Sequence, residues 1–150
     1  MVTIILLIIL FLAALLFVPF ARQLAKDKIE LTNNPINEKF GILVGIINDA
    51  LLAGKGEITL FEDNPKLMNL FSKDQTNILI QFFYGTGHLT ITLNYQYYRR
   101  ELVFKKEFYH LREASIYDQK DVANEFIELC QEKIMEHQRK VSYESVNGMK

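Results

Sequence analysis

The sequence predicts an α+β protein in which a single N-terminal transmembrane helix precedes a two-layer domain. The domain is expected to contain about four antiparallel strands, with an N-terminal and a C-terminal helix on one face. Three observations lead to this prediction. No charged side chain occurs before Arg22, apolar and polar residues alternate through residues 88–97, and apolar residues recur at helical spacing on both sides of the strand-rich middle of the chain.

Residues 1–21 are predicted to form the transmembrane helix. They are uncharged and almost entirely aliphatic or aromatic, and about 20 helical residues span the roughly 30 Å hydrocarbon core of a bilayer. The main alternative is a cleaved secretory signal, although no basic residue precedes the apolar run and no small-x-small cleavage site follows it. The lipid bilayer is therefore the first predicted partner.

Basic residues flank this segment on its C-terminal side only, at Arg22, Lys26 and Lys28. Positive charge is retained on the cytoplasmic side of a membrane, so the sequence predicts a single-pass protein with a cytoplasmic domain. The same three side chains are candidates for contact with anionic lipid headgroups. An exported domain on the extracytoplasmic side is the alternative orientation.

The charge balance excludes a strongly basic protein of the kind that binds nucleic acid through a large excess of positive charge. The chain has 17 Lys and Arg against 18 Asp and Glu, all of them beyond residue 21. The one cysteine, Cys130, cannot form an internal disulfide, and its apolar helical position favours a packed thiol over a nucleophile. A reducing compartment agrees with this cysteine content.

The first helix of the domain is expected from about residue 35 to residue 53, before Gly54. Residues 22–34 are predicted to be a juxtamembrane linker that continues the anchor helix for a turn or two. Asn34 and Pro35 are then suited to the N-cap and first position of the next helix.

This first helix has more apolar surface than one buried face requires. If Phe40, Leu43 and Ile47 face the sheet, a lateral strip needs another cover. The strip, called the α3 strip below, consists of Gly41, Ile42, Gly45, Ile46 and Ala50. Its two glycines permit close backbone approach, so the strip is predicted to bind a protein partner or a second copy of the chain. The alternative is that the last helix, or the link over residues 63–75, covers it internally.

Four strands are predicted, at residues 57–62, 76–84, 88–97 and 102–109. The segment 66–71 is expected to be a helical turn or an irregular link. Gly85-Thr86-Gly87 separates two strands, so it is interpreted as a hairpin turn rather than a phosphate-binding loop, which normally opens a helix. The last helix is predicted over about 118–140, followed by a frayed tail at 142–150.

No catalytic, cofactor-binding or metal-binding residues are predicted. His88, His110 and His137 are far apart in sequence and show no ligand spacing. Arg99 and Arg100 lie among tyrosines, a mixture that can contact lipid headgroups or stack on single-stranded bases, with nucleic acid the less favoured partner.

The predicted function is binding without catalysis, by a membrane-anchored adaptor, scaffold or assembly factor. The alternative is an enzyme or small-ligand-binding domain held at the membrane. That alternative predicts a deep pocket between sheet and helices, lined by polar groups such as His88, Tyr95 or His110.

Overall fold

The computed structural model describes residues 2–147, with the side chains of residues 2–10, 16, 146 and 147 outside the description. It confirms the α+β class, with a five-stranded antiparallel sheet and a C-terminal helix. In chain order the elements are α1 (Val2–Asn33), α2 (Ile36–Lys39), α3 (Gly41–Leu52), β1 (Glu57–Leu60), β2 (Leu67–Phe71), β3 (Ile78–Gly85), β4 (His88–Tyr97), β5 (Arg100–Phe108) and α4 (Ile116–Asn147).

The sheet contains five strands in sequential order, so the prediction of about four strands was one short. The additional strand is β2, which the sequence analysis interpreted as a helical turn or irregular link. Met68 pairs with Phe82 and Leu70 pairs with Ile80, and both β2 residues are fully buried. The local composition of this segment does not specify its secondary structure, so pairing with β3 makes it a strand, as is usual for short strands.

The β4 strand has the predicted bounds, residues 88–97, because its strict alternation buries one face. The turn that follows contains only Tyr98 and Arg99, with φ of 46° and 62°. Positive φ at both central residues is the geometry of a tight hairpin turn, although glycine or asparagine normally occupies these positions. The β5 strand consequently begins at Arg100, two residues earlier than predicted.

The hydrophobic core lies between one face of the sheet and the helices. From the sheet it receives alternate residues of β2, β3 and β4, and from the helices the buried faces of α2, α3 and α4. Its fully buried members include Phe40, Leu43, Ile47, Met68, Leu70, Ile80, Phe82, Tyr84, Ile91, Leu93, Phe126 and Cys130. No described helix covers the opposite face of the sheet.

The first helix of the domain is divided at Phe40, which corrects the continuous helix predicted over 35–53. Phe40 has φ −113° and ψ 32°, so it leaves the helical conformation and serves as the N-cap of α3. Its ring is fully buried and packs at 5.4 Å from the ring of Tyr84. The α3 helix ends at Leu52 and is followed by Ala53, whose φ of 53° gives a left-handed cap one residue before Gly54.

The predicted linker at 22–34 is helical through Asn33, because α1 is one helix of 32 residues. Where side chains are described, no helix is at once long and apolar enough to cross a membrane. The predicted transmembrane segment falls in large part on residues 1–10 and 16, which lie outside that description.

The last helix, α4, is longer than predicted at both ends, beginning at Ile116 and continuing through Asn147. The part of the predicted tail at 142–147 is therefore helical, and residues 148–150 lie outside the described residues. At its start, Asp118 N donates to Ser115 Oγ at 3.2 Å and Ser115 N donates to Asp118 Oδ2 at 2.8 Å. These bonds lower the pKa of Asp118 and cap the helix.

Candidate interaction sites

The structure divides the predicted α3 strip into exposed and half-buried members. Gly41, Gly45 and Ala50 are exposed, whereas Ile42 and Ile46 are half-buried. A methyl group placed on either glycine would meet no atom within 4 Å, so the helix surface here is open to solvent. The strip is therefore accessible but shallow.

Neighbouring elements cover part of the apolar surface that led to the α3 strip. Ile46 packs against the main core, and Leu52, the last residue of α3, is fully buried. The α4 helix packs along α3, and Gln119 accepts a hydrogen bond from Leu43 N at 3.3 Å while donating to Lys39 O at 3.2 Å. The internal cover considered from sequence therefore accounts for a portion of the surplus.

The basic residues predicted to contact lipid headgroups fall into two groups. Arg22, Lys26 and Lys28 are exposed on α1, and Arg99 and Arg100 are exposed at the β4–β5 turn. Asp27 of α1 contacts the β3–β4 turn, which lies at the other end of β4. Ten strand residues rise about 30 Å, so the two groups lie near opposite ends of the sheet.

A network of charged side chains joins α1 to the domain. Asp27 is 0% exposed. Its Oδ1 accepts a hydrogen bond from Arg112 Nη2 at 2.6 Å, and its Oδ2 accepts one from the amide of Thr86. Lys39 Nζ donates both to Glu30 and to the carbonyl of Arg112, the latter at 2.6 Å. The term α1 junction is used below for Asp27, Glu30, Lys39 and Arg112.

The α1 junction lies in a segment, residues 22–34, that the sequence predicts to be a linker. Asp27 and Arg112 are 85 residues apart in the sequence, and no local pattern encodes such a contact. A partial signal existed, because Leu24, Asp27 and Leu31 recur at i, i+3 and i+7 on one face of a helix. All three are half-buried or buried.

Tyr84 lies beside this junction and carries a buried polar group. The residue is fully buried, and its hydroxyl has no hydrogen-bond partner. Burial, together with the charge of Glu30, raises the pKa of Tyr84 to about 12. Lys39 Nζ lies 5.3 Å from the centre of its ring, which adds a cation–π contact.

The face of the sheet without helices carries a compact apolar patch on β2 and β3. Leu67 pairs directly with Phe83, and Phe71 pairs directly with Leu79. Between these pairs, Gln81 Nε2 donates to Asn69 Oδ1 at 3.2 Å. Phe83 is 44% exposed and the other three apolar members are half-buried. The term outer patch is used below for Leu67, Phe71, Leu79 and Phe83.

Charged residues on this face lie on the strands that flank the outer patch. Glu57 of β1 pairs in register with Phe71 and forms an ion pair with Lys73 at 2.8 Å, and β5 carries Glu101 and the ion pair of Lys105 and Glu107 at 2.9 Å. Thr90, Thr92 and Asn94 of β4 lie between the patch and β5. An uncharged apolar centre with polar surroundings resembles the organisation of protein interfaces. The sequence does not indicate this surface, because no local pattern marks residues 67–71 as a strand.

Several open clefts are present in the described part of the chain. One of them, of about 550 Å³, lies where the end of α1 meets the β1–β2 loop, and its lining includes Lys28, Leu31, Pro35 and Phe61. Another, of about 460 Å³, lies beside Arg99, Arg100 and His137. Neither contains His88, Tyr95 or His110, the polar groups that the ligand-binding alternative named, but Tyr95 lines a smaller open cleft of about 240 Å³ together with Asn94 and Glu101.

The candidate reactive residues are not brought into any shared site. Cys130 is fully buried, and burial raises the pKa of its thiol to about 12, which keeps it protonated and unreactive at neutral pH. His137 contacts the carbonyl of Arg100, and His88 stacks edge-on against Tyr109. Among the described side chains, no three histidine, cysteine, aspartate or glutamate residues are placed to hold a metal ion.

Comparison with known proteins finds no family model, no curated sequence and no solved structure that matches this chain.

Proposed function

We propose that this chain is a single-pass, membrane-anchored protein-interaction module, with the roles of an adaptor, scaffold or assembly factor. One observation carries the proposal. The α1 helix is continuous from its apolar N-terminal half into the domain, and the apolar half has no protein cover where its side chains are described. Phe11 is 65% exposed and Phe17 is 72% exposed. The hydrocarbon core of a bilayer would remove such side chains from water at the lowest free-energy cost.

The proposed anchor is joined to the domain through a buried junction rather than a flexible tether. Asp27 and Leu31 are buried against the domain, and the distance along α1 from Asp27 back to Ala21 is about 9 Å for six helical residues. A short, stiff connection would hold the domain close to the bilayer in a restricted orientation. Confinement of this kind increases avidity for other membrane-bound partners without new contacts.

The proposal places the domain on the cytoplasmic side, because Arg22, Lys26 and Lys28 follow the apolar run. The side can be tested with a cysteine at Ser145, an exposed position on α4, in a Cys130→Ala background. An impermeant thiol reagent should label the Ser145→Cys protein only after the cells are lysed. Labelling of intact cells would place the domain outside.

Membrane anchorage is tested by substituting charge into the apolar half of α1. Two central arginines, Leu12→Arg with Leu15→Arg, should move the chain from the alkali-resistant membrane fraction to the aqueous fraction, because each costs about 3 kcal/mol in hydrocarbon. Ile29→Arg is the matched control, since Ile29 is an exposed apolar residue of the same helix beyond the proposed span. Recovery of a wild-type chain that begins after residue 21 in the aqueous fraction would contradict the proposal.

Protein binding is proposed through the α3 strip, the surface that the sequence indicates, or through the outer patch. The substitution Ala50→Glu places a charge on the exposed edge of the strip without disturbing the core. It should lower recovery of a crosslinked partner at least fivefold, while Asn124→Glu, on the exposed side of α4, should not. Equal recovery from both variants would remove the strip as the binding surface.

A small-ligand-binding function is the second candidate, and the cleft beside α1 favours it. Its volume of about 550 Å³ lies within the range of roughly 300–1,000 Å³ of typical ligand sites. A bound ligand would raise the unfolding temperature of the wild type and would not raise that of Phe61→Arg, which fills the cleft with a charge. A small-molecule panel that shifts neither protein would remove this candidate.

A further inference from the structure

We propose that two copies of this chain form a two-fold dimer in which the outer patch of one packs against the outer patch of the other. This inference rests on the proposed function, because it names the partner of the interaction module. It starts from the face of the sheet that no described helix covers, and in particular from the two apolar pairs on β2 and β3.

The arrangement of the outer patch is self-complementary about an axis between β2 and β3. Each apolar residue of β2 has an apolar partner in register on β3, Leu67 with Phe83 and Phe71 with Leu79. A two-fold axis parallel to the strands and passing between them places β2 of one copy against β3 of the other. Leu67 then faces Phe83 of the second copy, and Phe71 faces Leu79. Isologous interfaces require this match of a surface with itself.

The charge distribution also fits a second copy. No residue of β2 or β3 that points to the outer face is charged. These residues are Leu67, Asn69, Phe71, Leu79, Gln81 and Phe83. A two-fold axis brings a surface against its own charge, so a net charge at the centre would repel the second copy. The charged strand residues of this face lie on the edge strands, at Glu57 on β1 and at Glu101, Lys105 and Glu107 on β5.

The size of the surface indicates that the dimer depends on the membrane. The patch strands β2 and β3 together with their neighbours β1 and β4, spaced about 4.8 Å apart over five to six residues, give a footprint of roughly 350 Å² per copy. Stable dimers that form in water bury about 800 Å² per partner, so this contact alone is weak. Two copies anchored in one bilayer are already confined and oriented, which raises their effective concentration.

The two-fold axis is compatible with both anchors entering the same bilayer. The α1 junction contacts the β3–β4 turn through Thr86, at one end of the strands. An axis parallel to the strands keeps this end on the same side in both copies. A perpendicular axis would direct the two anchors to opposite sides, and a bilayer could not accept both.

The test uses the full chain in lipid vesicles, with Cys130→Ala to remove the natural thiol. Gln81→Cys places a thiol at the centre of the outer face, and a short bis-maleimide reports the second copy. Asn124→Cys, on the exposed side of α4, is the collision control. The Gln81→Cys protein should give at least tenfold more crosslinked dimer, at twice the 17.5 kDa of the chain. Equal crosslinking from both positions would overturn the proposal.

A pair of charge substitutions in the Gln81→Cys background then locates the contact. Phe83→Glu should reduce the crosslinked dimer at least tenfold, because two carboxylates would be buried against apolar side chains. Val103→Glu should leave it unchanged, since Val103 is exposed on the same face but lies on β5, outside the contact. Both residues are large, apolar and exposed, at 44% and 59%, so circular dichroism should show both variants folded.

The possible results separate this inference from the proposed function. If the wild-type chain is not retained by the membrane, the proposed function fails. If it is retained, but Phe83→Glu and Val103→Glu have equal effects on crosslinking, the dimer is wrong and the anchored module stands. A Phe83→Glu protein that dimerises normally but loses a different protein, or loses contact with lipid, also overturns the dimer and assigns the outer patch to that other partner.

Discussion

Asp27 illustrates at the scale of one residue how the domain holds α1. Its carboxylate has no exposure to solvent and receives hydrogen bonds from Arg112 and from the Thr86 amide. A buried charge is tolerated only when such partners compensate for lost hydration. The contact therefore binds α1, the β3–β4 turn and the β5–α4 loop into one unit.

Removing the Arg112 side chain should loosen α1 before it affects the sheet. We expect Arg112→Ala to lower the free energy of unfolding by about 3 kcal/mol, since it leaves the buried carboxylate without its cation. Hydrogen exchange at the Thr86 amide and across residues 22–33 should accelerate, while exchange in the middle of β3 and β4 should be unchanged. Arg139→Ala, an exposed arginine on α4, is the control. If hydrogen exchange accelerated equally in all elements, the junction would stabilise the whole domain rather than the attachment of α1 alone.

Cys130 should make the domain sensitive to alkali. Burial raises the pKa of its thiol from 9.0 to about 12, so between these values the unfolded chain loses the thiol proton and the folded chain keeps it. Stability is therefore fully retained below pH 9 and falls as the pH rises. From pH 8 to pH 10 this one group should reduce the free energy of unfolding by about 1 kcal/mol.

Denaturant unfolding of the wild type and Cys130→Ala at several pH values measures this effect. The variant loses core packing at every pH, so the informative quantity is the slope with pH rather than the absolute stability. We expect a shallower decline above pH 9 in Cys130→Ala. Parallel slopes would mean that the thiol is hydrated or ionised in the folded protein.

At the scale of secondary-structure elements, two glycines in different surroundings make a matched pair. Gly45 lies within α3, and a methyl group there meets nothing within 4 Å. Gly56 precedes β1, where a methyl group would lie 2.4 Å from Asn48 Oδ1 and 2.7 Å from Leu70 Cδ1. Asn48 Oδ1 also accepts the Gly56 amide hydrogen bond at 2.8 Å.

The same substitution should therefore have opposite effects at the two positions. Gly45→Ala should stabilise the domain by about 1 kcal/mol, because alanine lowers the entropy lost on helix formation. Gly56→Ala should destabilise it by about 2 kcal/mol, because Asn48 and Leu70 must shift. Thermal unfolding of both variants measures the difference. A destabilising Gly45→Ala would show that the α3 strip packs against another part of the chain.

The elements that the sequence predicted well are those whose pattern is local. The alternation in residues 88–97 defined β4 to the residue, because one face must be buried and the other wet. The β2 strand was missed because Leu67–Phe71 is short, and only its register with β3 makes it a strand. The break at Phe40 was missed for a related reason, since the ring leaves the helix to pack on Tyr84, a contact 44 residues away in sequence.

The candidate surfaces were likewise predictable only where the pattern that marks them is local. The α3 strip was predictable because helical spacing shows which residues share a side of α3. Whether α4 covers Ile46 depends on how two distant helices pack, and no sequence pattern specifies that. The outer patch required β2 to be assigned first. The α1 junction required the knowledge that Arg112 meets Asp27, although the spacing of Leu24, Asp27 and Leu31 indicated a buried side.

At the scale of the whole molecule, the α1 junction and the β4–β5 turn mark opposite ends of the sheet. Asp27 fixes α1 at the β3–β4 turn, whereas Arg99 and Arg100 lie at the β4–β5 turn. The strand between them is about 30 Å long. If residues 1–21 are embedded in a bilayer, Lys28 lies about 10 Å along α1 from the end of the embedded segment. The β4–β5 turn should then lie well beyond the headgroups.

Fluorescence energy transfer to labelled lipid headgroups tests this orientation. In a Cys130→Ala background, a donor on Lys28→Cys should be strongly quenched by acceptor lipids, and a donor on Arg99→Cys should be quenched little. Arg112→Ala should reduce the contrast between the two positions, because a domain released from α1 samples many orientations. Equal quenching at Lys28 and Arg99 in the otherwise unchanged protein would mean that the sheet lies along the membrane. Arg99 and Arg100 would then remain candidates for headgroup contact, and an anionic vesicle would be expected to protect both from chemical modification.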